Sequence, residues 1–223
     1  AFGYTWVDMD SKSDESDLKF ATNTIENQFY KIEIDPKSGG VKSLFDKEPN
    51  KDFAGSYRGW KLGQLIHQEV DPGTDGYDNV SLTPGRDSLN SAFDFSQVPE
   101  FGAWNTNIKF IDRVPENISI SSPVIDKGRV AISVTCILKG VKQATGLFWL
   151  DSRIKSFGIE WEIDKEHVRE AEEIFVCFPA DLASANFRGD INAVPFVPDE
   201  DQLPGTARLA LRSIVPISGK HFS

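Results

Sequence analysis

Residues 25–48 read IENQFYKIEIDPKSGGVKSLFDKE. Tyr30, Ile32 and Ile34 alternate with Lys31 and Glu33, the period-2 pattern of a strand with one buried face. Asp35-Pro36-Lys37-Ser38-Gly39-Gly40 then supplies a turn, since proline presets φ and glycine takes positive φ without steric cost. Val41 to Phe45 returns, and the run stops at the charged Asp46-Lys47-Glu48. The stretch predicts an antiparallel hairpin, and nothing in it can do chemistry by itself.

The same alternation recurs downstream. Val130, Ile132, Val134, Cys136 and Leu138 share one strand face, opposite Ala131, Ser133 and Thr135. Val141 to Leu150 continues the meander, and Asp151-Ser152-Arg153 turns it. Phe157, Ile159, Trp161 and Ile163 then alternate strictly with Gly158, Glu160, Glu162 and Asp164. Gly59 to Val70 reads as one more strand and Glu173 to Pro179 as another, with a charged bridge over 165–173. No strand–helix–strand unit occurs, and strands near ten residues long suit a large two-sheet arrangement. The fold class expected is all-β, a large antiparallel β-sandwich over 20–223, preceded over 1–19 by the end of an earlier strand and a polar linker. Trp60, Trp149 and Trp161 are expected in its core. Residues 71–103, rich in Gly, Pro, Asp and Ser, read as a long excursion with a short helix near 86–92, and the proline-bearing tail from Asp190 reads as irregular.

Composition restricts the partners. The chain has 223 residues, a formal net charge of −10 and a pI near 4.8. That balance argues against nucleic acid and against an anionic membrane surface, both of which need clustered Lys and Arg. A neutral ligand such as a sugar is unaffected. No apolar run approaches the roughly 20 residues that cross a bilayer as a helix. Ala1 to Asp8 already reads as strand with no basic, then apolar, leader, so the start is expected to be a mature or cut terminus, and the tail, which reaches Ser223 without a capping element, is expected to end in a cut. Asn79-Val80-Ser81 and Asn117-Ile118-Ser119 fit the N-glycosylation acceptor pattern and favour a secreted or vacuolar/lysosomal location over a cytoplasmic one. Cys136 and Cys177 either pair across the sandwich or stay as buried thiols.

The order and spacing of several stretches resemble the C-terminal β-domain of family 38 glycoside hydrolases, the α-mannosidases. Ile25 to Asp35 followed by Gly40 to Glu48 is similar to that family's L-E-N-x-F-Y-x-V-x-x-D strand, turn and G-x-I-x-S-L-x-D-K-E return. Arg153 to Asp164 resembles its R-L-x-x-V-E-I-E-W-x-V-D strand, Glu172 to Pro179 its L-K-V-A-F-P strand, and Gly3-Tyr4-Thr5-Trp6 the close of the preceding small domain. The resemblance spans roughly 3–50 and 105–190; residues 55–104 and the tail depart from it. It implies a supersandwich of the galactose-mutarotase type, within an enzyme that hydrolyses α-mannosides with zinc and a covalent glycosyl-enzyme intermediate. In that family the zinc ligands and the nucleophilic Asp lie in an N-terminal α/β domain, so no cofactor and no catalytic residue are expected in this chain. The partners implied are a mannose-type glycan and that catalytic domain.

Sugar recognition needs an aromatic face for the apolar side of the ring and planar polar groups for the hydroxyls. Trp104, Tyr77, Asp75 and Asp78, all within the excursion or at its end, are the residues expected to supply them. They also support the alternative function, a stand-alone lectin-like module. A His–Glu acid–base pair is the other chemistry considered, with His67 on a strand and His167 in a charged turn; packing and surface roles are favoured for both.

Overall fold

The computed structural model describes residues 15–71, 109–168 and 172–182, with short strand segments at 186–187, 189–191, 194–197 and 217–218. No α-helix occurs among them; a single 3-10 turn, Glu15–Asp17, opens the described chain. The expected helix at 86–92, and Tyr77, Asp75, Asp78, Asn79 and Trp104, lie outside the described residues.

The opening stretch forms the predicted hairpin. β3 (Tyr30–Ile34) pairs with β4 (Val41–Asp46), and β1 (Lys19–Ala21), β2 (Thr24–Glu26) and β5 (Lys51–Asp52) complete a five-stranded sheet in the order β1-β2-β3-β4-β5. Its turn is closed by local hydrogen bonds: Asp35 O accepts from Gly39 N at 2.9 Å, and the Asp35 carboxylate accepts from Lys37 N and the Ser38 hydroxyl, each at 3.0 Å. Gly39 sits at φ 69°, a backbone region an L side chain resists.

The second sheet is the meander. Two further short hairpin strands, β6 (Ser56–Tyr57) and β7 (Trp60–Lys61), are followed by β8 (Leu65–Val70) and β9 (Phe110–Arg113); the meander then runs through β10 (Glu116–Ile120), β11 (Val124–Asp126), β12 (Arg129–Leu138), β13 (Val141–Asp151) and β14 (Phe157–Lys165). The order is β10-β12-β13-β14, with β11 also on β12. The two sheets face each other. Ile25, Ile32, Ile34, Val41 and Leu44 of the first bury against Val130, Ile132, Val134, Phe148 and Leu150 of the second, nearly all at 0–1 % exposure. Burial of this kind, at roughly 25 cal/mol per Å² of apolar surface, is the main stabilising term. The all-β sandwich expected from the alternation is therefore the fold.

A third sheet, in the order β15-β8-β9 with β15 (Glu172–Val176), lies against the far half of the β12–β13 hairpin. Leu65, Ile174 and Val176 pack there on Cys136, Leu138, Val141 and Ala144. Its other face carries a small cluster of Trp60, Ile66, Phe175 and Cys177. The two cysteines thus lie in clusters on opposite faces of this sheet, and both are free thiols. Burial pushes each thiol up to about 11.

Several expectations need correction. Over 15–19 the polar residues are exposed as expected, but Leu18, 6 % exposed, docks in the main core, and the Glu15 carboxylate accepts from Gly128 N at 3.0 Å. Gly59 to Val70 is two strands, broken at Gly63, whose N–H bonds to Cys177 O. The tail after 185 carries short antiparallel pairs, β16 (Asn186–Phe187) with β19 (Ile217–Ser218), and β17 (Gly189–Ile191) with β18 (Val194–Phe196). Trp149 lies on the outer face of the second sheet. The register explains it: Phe148 and Leu150 point inward, so Trp149 between them points out. Trp161 does face the core, as expected, with its ring edge-on to Phe148. Each indole lies over the glycine directly opposite it, Trp149 on Gly158 and Trp161 on Gly146; a Cβ on Gly158 would stand 2.0 Å from the indole.

One buried side chain fastens the sheets. Asn27, fully buried, accepts from Phe29 N at 2.9 Å and Tyr30 N at 2.7 Å through Oδ1, and donates through Nδ2 to Asp151 O at 2.8 Å. Replacing it with alanine strips three backbone groups of their partners. Asn27→Ala is expected to lower unfolding free energy by about 2–4 kcal/mol with an unchanged denaturant slope, read by urea titration. In the native protein at pH 8, a disulfide-exchange reagent is expected to modify neither Cys136 nor Cys177 quickly, and both at once in denaturant.

Candidate functional site

Three polar constellations stand out among the described residues. The first has a buried centre ringed by half-exposed cations. On β8, Leu65, His67 and Glu69 face the meander, and the register sets Glu172 of β15 directly opposite Glu69. Two carboxylates so placed repel unless each is neutralised. Glu69 is held by Lys139 and by Arg113 at 3.2 Å; Glu172 is held by Lys165 and by His67 Nε2 at 2.7 Å. Lys139 comes from the β12–β13 turn and Lys165 from the end of β14, so the cluster ties the third sheet to the meander. The bond from Lys139 depresses the Glu69 carboxyl against the opposing effect of desolvation, and Arg113 adds to it. Desolvation raises Glu172, but the bonds from Lys165 and His67 outweigh it and hold its carboxyl below the ordinary range.

Of the two histidines considered from the sequence for acid–base work, His67 does meet a carboxylate, that of Glu172, which the sequence had not singled out. The surroundings of this pair rule out a role on a diffusing substrate in this conformation. The His67 side chain is 0 % exposed and that of Glu172 7 %, with Gly140 packed so closely that a Cβ there would lie 3.0 Å from the Glu172 carboxylate. With ionised Glu172 accepting, Nε2 carries the proton; Nδ1 is buried with no partner among the described residues. His167 is exposed in the charged turn.

The second constellation lies at the opposite end of the meander. Asp151, 1 % exposed, accepts from Arg153 Nε and Nη2 at 2.9 and 2.7 Å and from Arg129 Nε at 3.2 Å. Arg153 above all, against desolvation and with help from Arg129, holds its carboxyl far below the usual range. The Arg129 guanidinium also stacks 4.3 Å from the centroid of Trp149, whose other face rests on Gly158 and whose Nε1 donates to Glu160 at 2.8 Å. Trp149 is therefore enclosed between backbone and guanidinium, leaving no free aromatic face. Toward the other end of the same strand pair, Gln143, Thr145, Glu162, Ile163 and Asp164 line a shallow depression of about 170 Å³.

The third is open to solvent. The β6–β7 hairpin turns through Arg58 (φ 54°) and Gly59 (φ 86°), the two positive φ values of a tight two-residue turn. It folds over the outer face of the third sheet. Trp60 beds down on Ile66 and Phe175, its ring edge-on to both Tyr57 (5.9 Å) and Phe175 (5.7 Å). Tyr57 itself is 62 % exposed. The Arg58 guanidinium lies over Trp60 at 5.5 Å and reaches Asp112 at 3.2 Å, and Asp112 also accepts from the Gln68 amide at 2.7 Å. One register row beyond Gln68 and Asp112 stand Val70 and Phe110, the latter 44 % exposed. Asp71 N then bonds Lys109 O at 2.9 Å, so the segment between them leaves and re-enters at this end of the face.

Of the residues expected from the sequence to bind sugar, Tyr77, Asp75, Asp78 and Trp104 lie outside the described residues, as does the acceptor Asn79. Asn117 is described: exposed, at φ 50°, in the bulge where β10 loses register with β12 between Glu116 and Ser119. The aromatic and planar polar set that the structure does assemble, Tyr57, Arg58, Gln68 and Asp112, was not singled out. A signal existed in Ser56-Tyr57-Arg58-Gly59-Trp60-Lys61, where an Arg-Gly turn between two aromatics marks a tight hairpin. Among the described residues no three His, Cys, Asp or Glu side chains gather into a metal-binding set. No family model matches the chain, and no curated protein matches it.

The pH behaviour of the buried cluster follows from its signs. Both Glu69 and Glu172 have lowered folded values, so their contribution is complete above the unfolded glutamate value of about 4.3 and is lost as pH falls through the folded values. Glu172→Gln is expected to lower the thermal midpoint at pH 7 and to flatten its decline below about pH 4.5, so that variant and wild type converge in acid.

Proposed function

We propose that this chain is the β-sandwich portion of a family-38-like glycoside hydrolase, an α-mannosidase-like enzyme, and that it contributes architecture and glycan contacts while another domain carries the reacting groups. The observation that carries this reading is where the two resembling stretches meet. Asn27 and Asp46-Lys47-Glu48 come from the first stretch; Lys155 comes from the second, and Asp151 stands two residues before its start. Asn27 binds Asp151 O, Lys155 pairs with Asp46 at 3.0 Å and with Glu48, and Lys47 bonds Glu26 and Asn27 O. Asn27, Asp46, Glu48 and Lys155 are thus engaged in joining the two sheets of one core, and Lys47 fastens the edge of the first sheet beside them. That is the behaviour of a scaffold motif, and it leaves none of these carboxylates free as nucleophile or acid.

By the same resemblance zinc and the nucleophilic Asp belong to an N-terminal α/β domain. The described residues offer no donor set for the metal, and no chemical step is assigned to this chain. A second reading, a stand-alone lectin-like module, is favoured by the open face bearing Tyr57, Arg58, Gln68 and Asp112.

Intact-mass analysis of the native protein from its source, under denaturing conditions, separates the two. The expected result is a chain well above 24.8 kDa, or a second polypeptide bearing an α/β domain. A lone species near 24.8 kDa, apart from attached glycans, overturns the glycosidase reading and leaves the lectin-like one.

A further inference from the structure

We infer that the outer face of the third sheet, between the Tyr57–Trp60 hairpin and Phe110, is a subsite for a neutral pyranose glycan one or two rings long. This rests on the reading of the protein as carbohydrate-associated and assigns that contact to residues the sequence did not point to.

Ile66, Gln68 and Val70 project from one face of β8. Trp60 stands over Ile66 with Tyr57 edge-on beside it; Phe110 stands opposite Val70. Four residues of strand separate these aromatic ends, about 13 Å at about 3.3 Å per residue. Between them lies a single register row, Glu173, Gln68 and Asp112, which Arg58 joins from above through Asp112. Aromatic walls flanking a planar polar floor suit a pyranose, whose apolar C–H face lies against a ring while its hydroxyls donate and accept at the edges.

Chemistry then narrows the occupant. The floor offers a carboxylate that accepts, a guanidinium that donates, and an amide that does both, so each hydroxyl of a vicinal pair finds a complementary group. These groups are held in place: Asp112 accepts from Gln68 and Arg58, and Arg58 packs on Trp60. Preorganisation of this kind reduces what binding costs in lost side-chain freedom. Arg58 and Asp112 also neutralise one another, so a formally charged ligand finds no uncompensated charge in that pair. A chain of net charge −10 disfavours polyanions further. Size argues against a protein partner, because a stable protein interface buries about 800 Å² per side and this floor is one register row between two aromatics.

The trial uses the whole chain, isotope-labelled, titrated with α-1,2-mannobiose and separately with maltose, and read by amide and indole NMR shifts. Shifts centred on Tyr57–Trp60, Gln68 and Asp112 are expected with mannobiose, maltose or both. Tyr57→Ala and Asp112→Asn are each expected to weaken binding about fivefold or more, while Ile137→Ser, on the outer face of the meander, leaves it unchanged. Near-native spectra of the variants confirm that they fold. Tyr57 is mostly exposed, so its removal is tolerated even where Asp112→Asn is not. Binding that shifts other residues and survives Tyr57→Ala overturns the subsite and leaves the carbohydrate reading standing. No shift with either sugar at 50-fold excess over a millimolar Kd overturns the subsite outright; the intact-mass result then decides the glycosidase reading on its own.

Discussion

The structure depends on a buried amide. Asn27 sits where the first sheet leaves β2, and its three hydrogen bonds satisfy two N–H groups of its own turn and one carbonyl of the facing sheet. A carboxamide is suited to this because it donates and accepts without carrying charge. An aspartate would keep the two acceptor bonds, lose the donor to Asp151 O, and bury a charge. An apolar residue would pack and leave three backbone groups unpaired. The hydrophobic contacts on either side of Asn27 are non-directional; the amide fixes which part of the first sheet lies against which part of the second.

Charge does comparable work at the two ends of the meander. At one end Asp151, with Arg153 and Arg129, braces the β13–β14 connection; Lys155 then reaches across to Asp46 and Glu48 of the first sheet. At the other end Lys139 and Lys165 clamp the opposed Glu69 and Glu172 of the third sheet. Removing one partner of such a set exposes the cost of the charge left behind, which exceeds the net gain of forming the pair. The meander is thus apolar along its middle and fastened by ions at its ends, which sets the positions of both neighbouring sheets.

Strict alternation made most of this legible. β3 and β14 were evident because polar and apolar residues change places at every step, β12 because every second residue from Val130 to Leu138 is apolar, and β4 because the Asp-Pro-Lys-Ser-Gly-Gly turn before it announced a return. Trp149 was misjudged because Leu147-Phe148-Trp149-Leu150 is apolar throughout, so period carries no information there and only the register against β14 decides which ring faces in. Leu18 was hidden by a polar neighbourhood, though a single leucine in such a run is what a docking point looks like. The open face was illegible for another reason. Tyr57 and Arg58, Gln68, and Asp112 come from three strands, and the contact between the first and last spans 54 residues. No local pattern encodes such a meeting.

The two faces of the third sheet show why these constellations bear differently on function. Both are polar, and both include a carboxylate bonded to a basic side chain. On the inner face every charged group is matched by one from another strand or turn, the histidine is sealed, and the matching itself is what joins the sheets. Admitting a substrate there would require pulling the sheet from the meander. On the outer face the polar row lies under a two-residue hairpin whose aromatic, Tyr57, remains largely in solvent, and the bonds joining Arg58, Gln68 and Asp112 hold their side chains without holding the sheets together. A ligand can exchange with those bonds at no cost to the core. Of the two faces, the outer one meets the physical requirement of a binding surface: groups fixed in position whose hydrogen bonds can be traded without unfolding the protein.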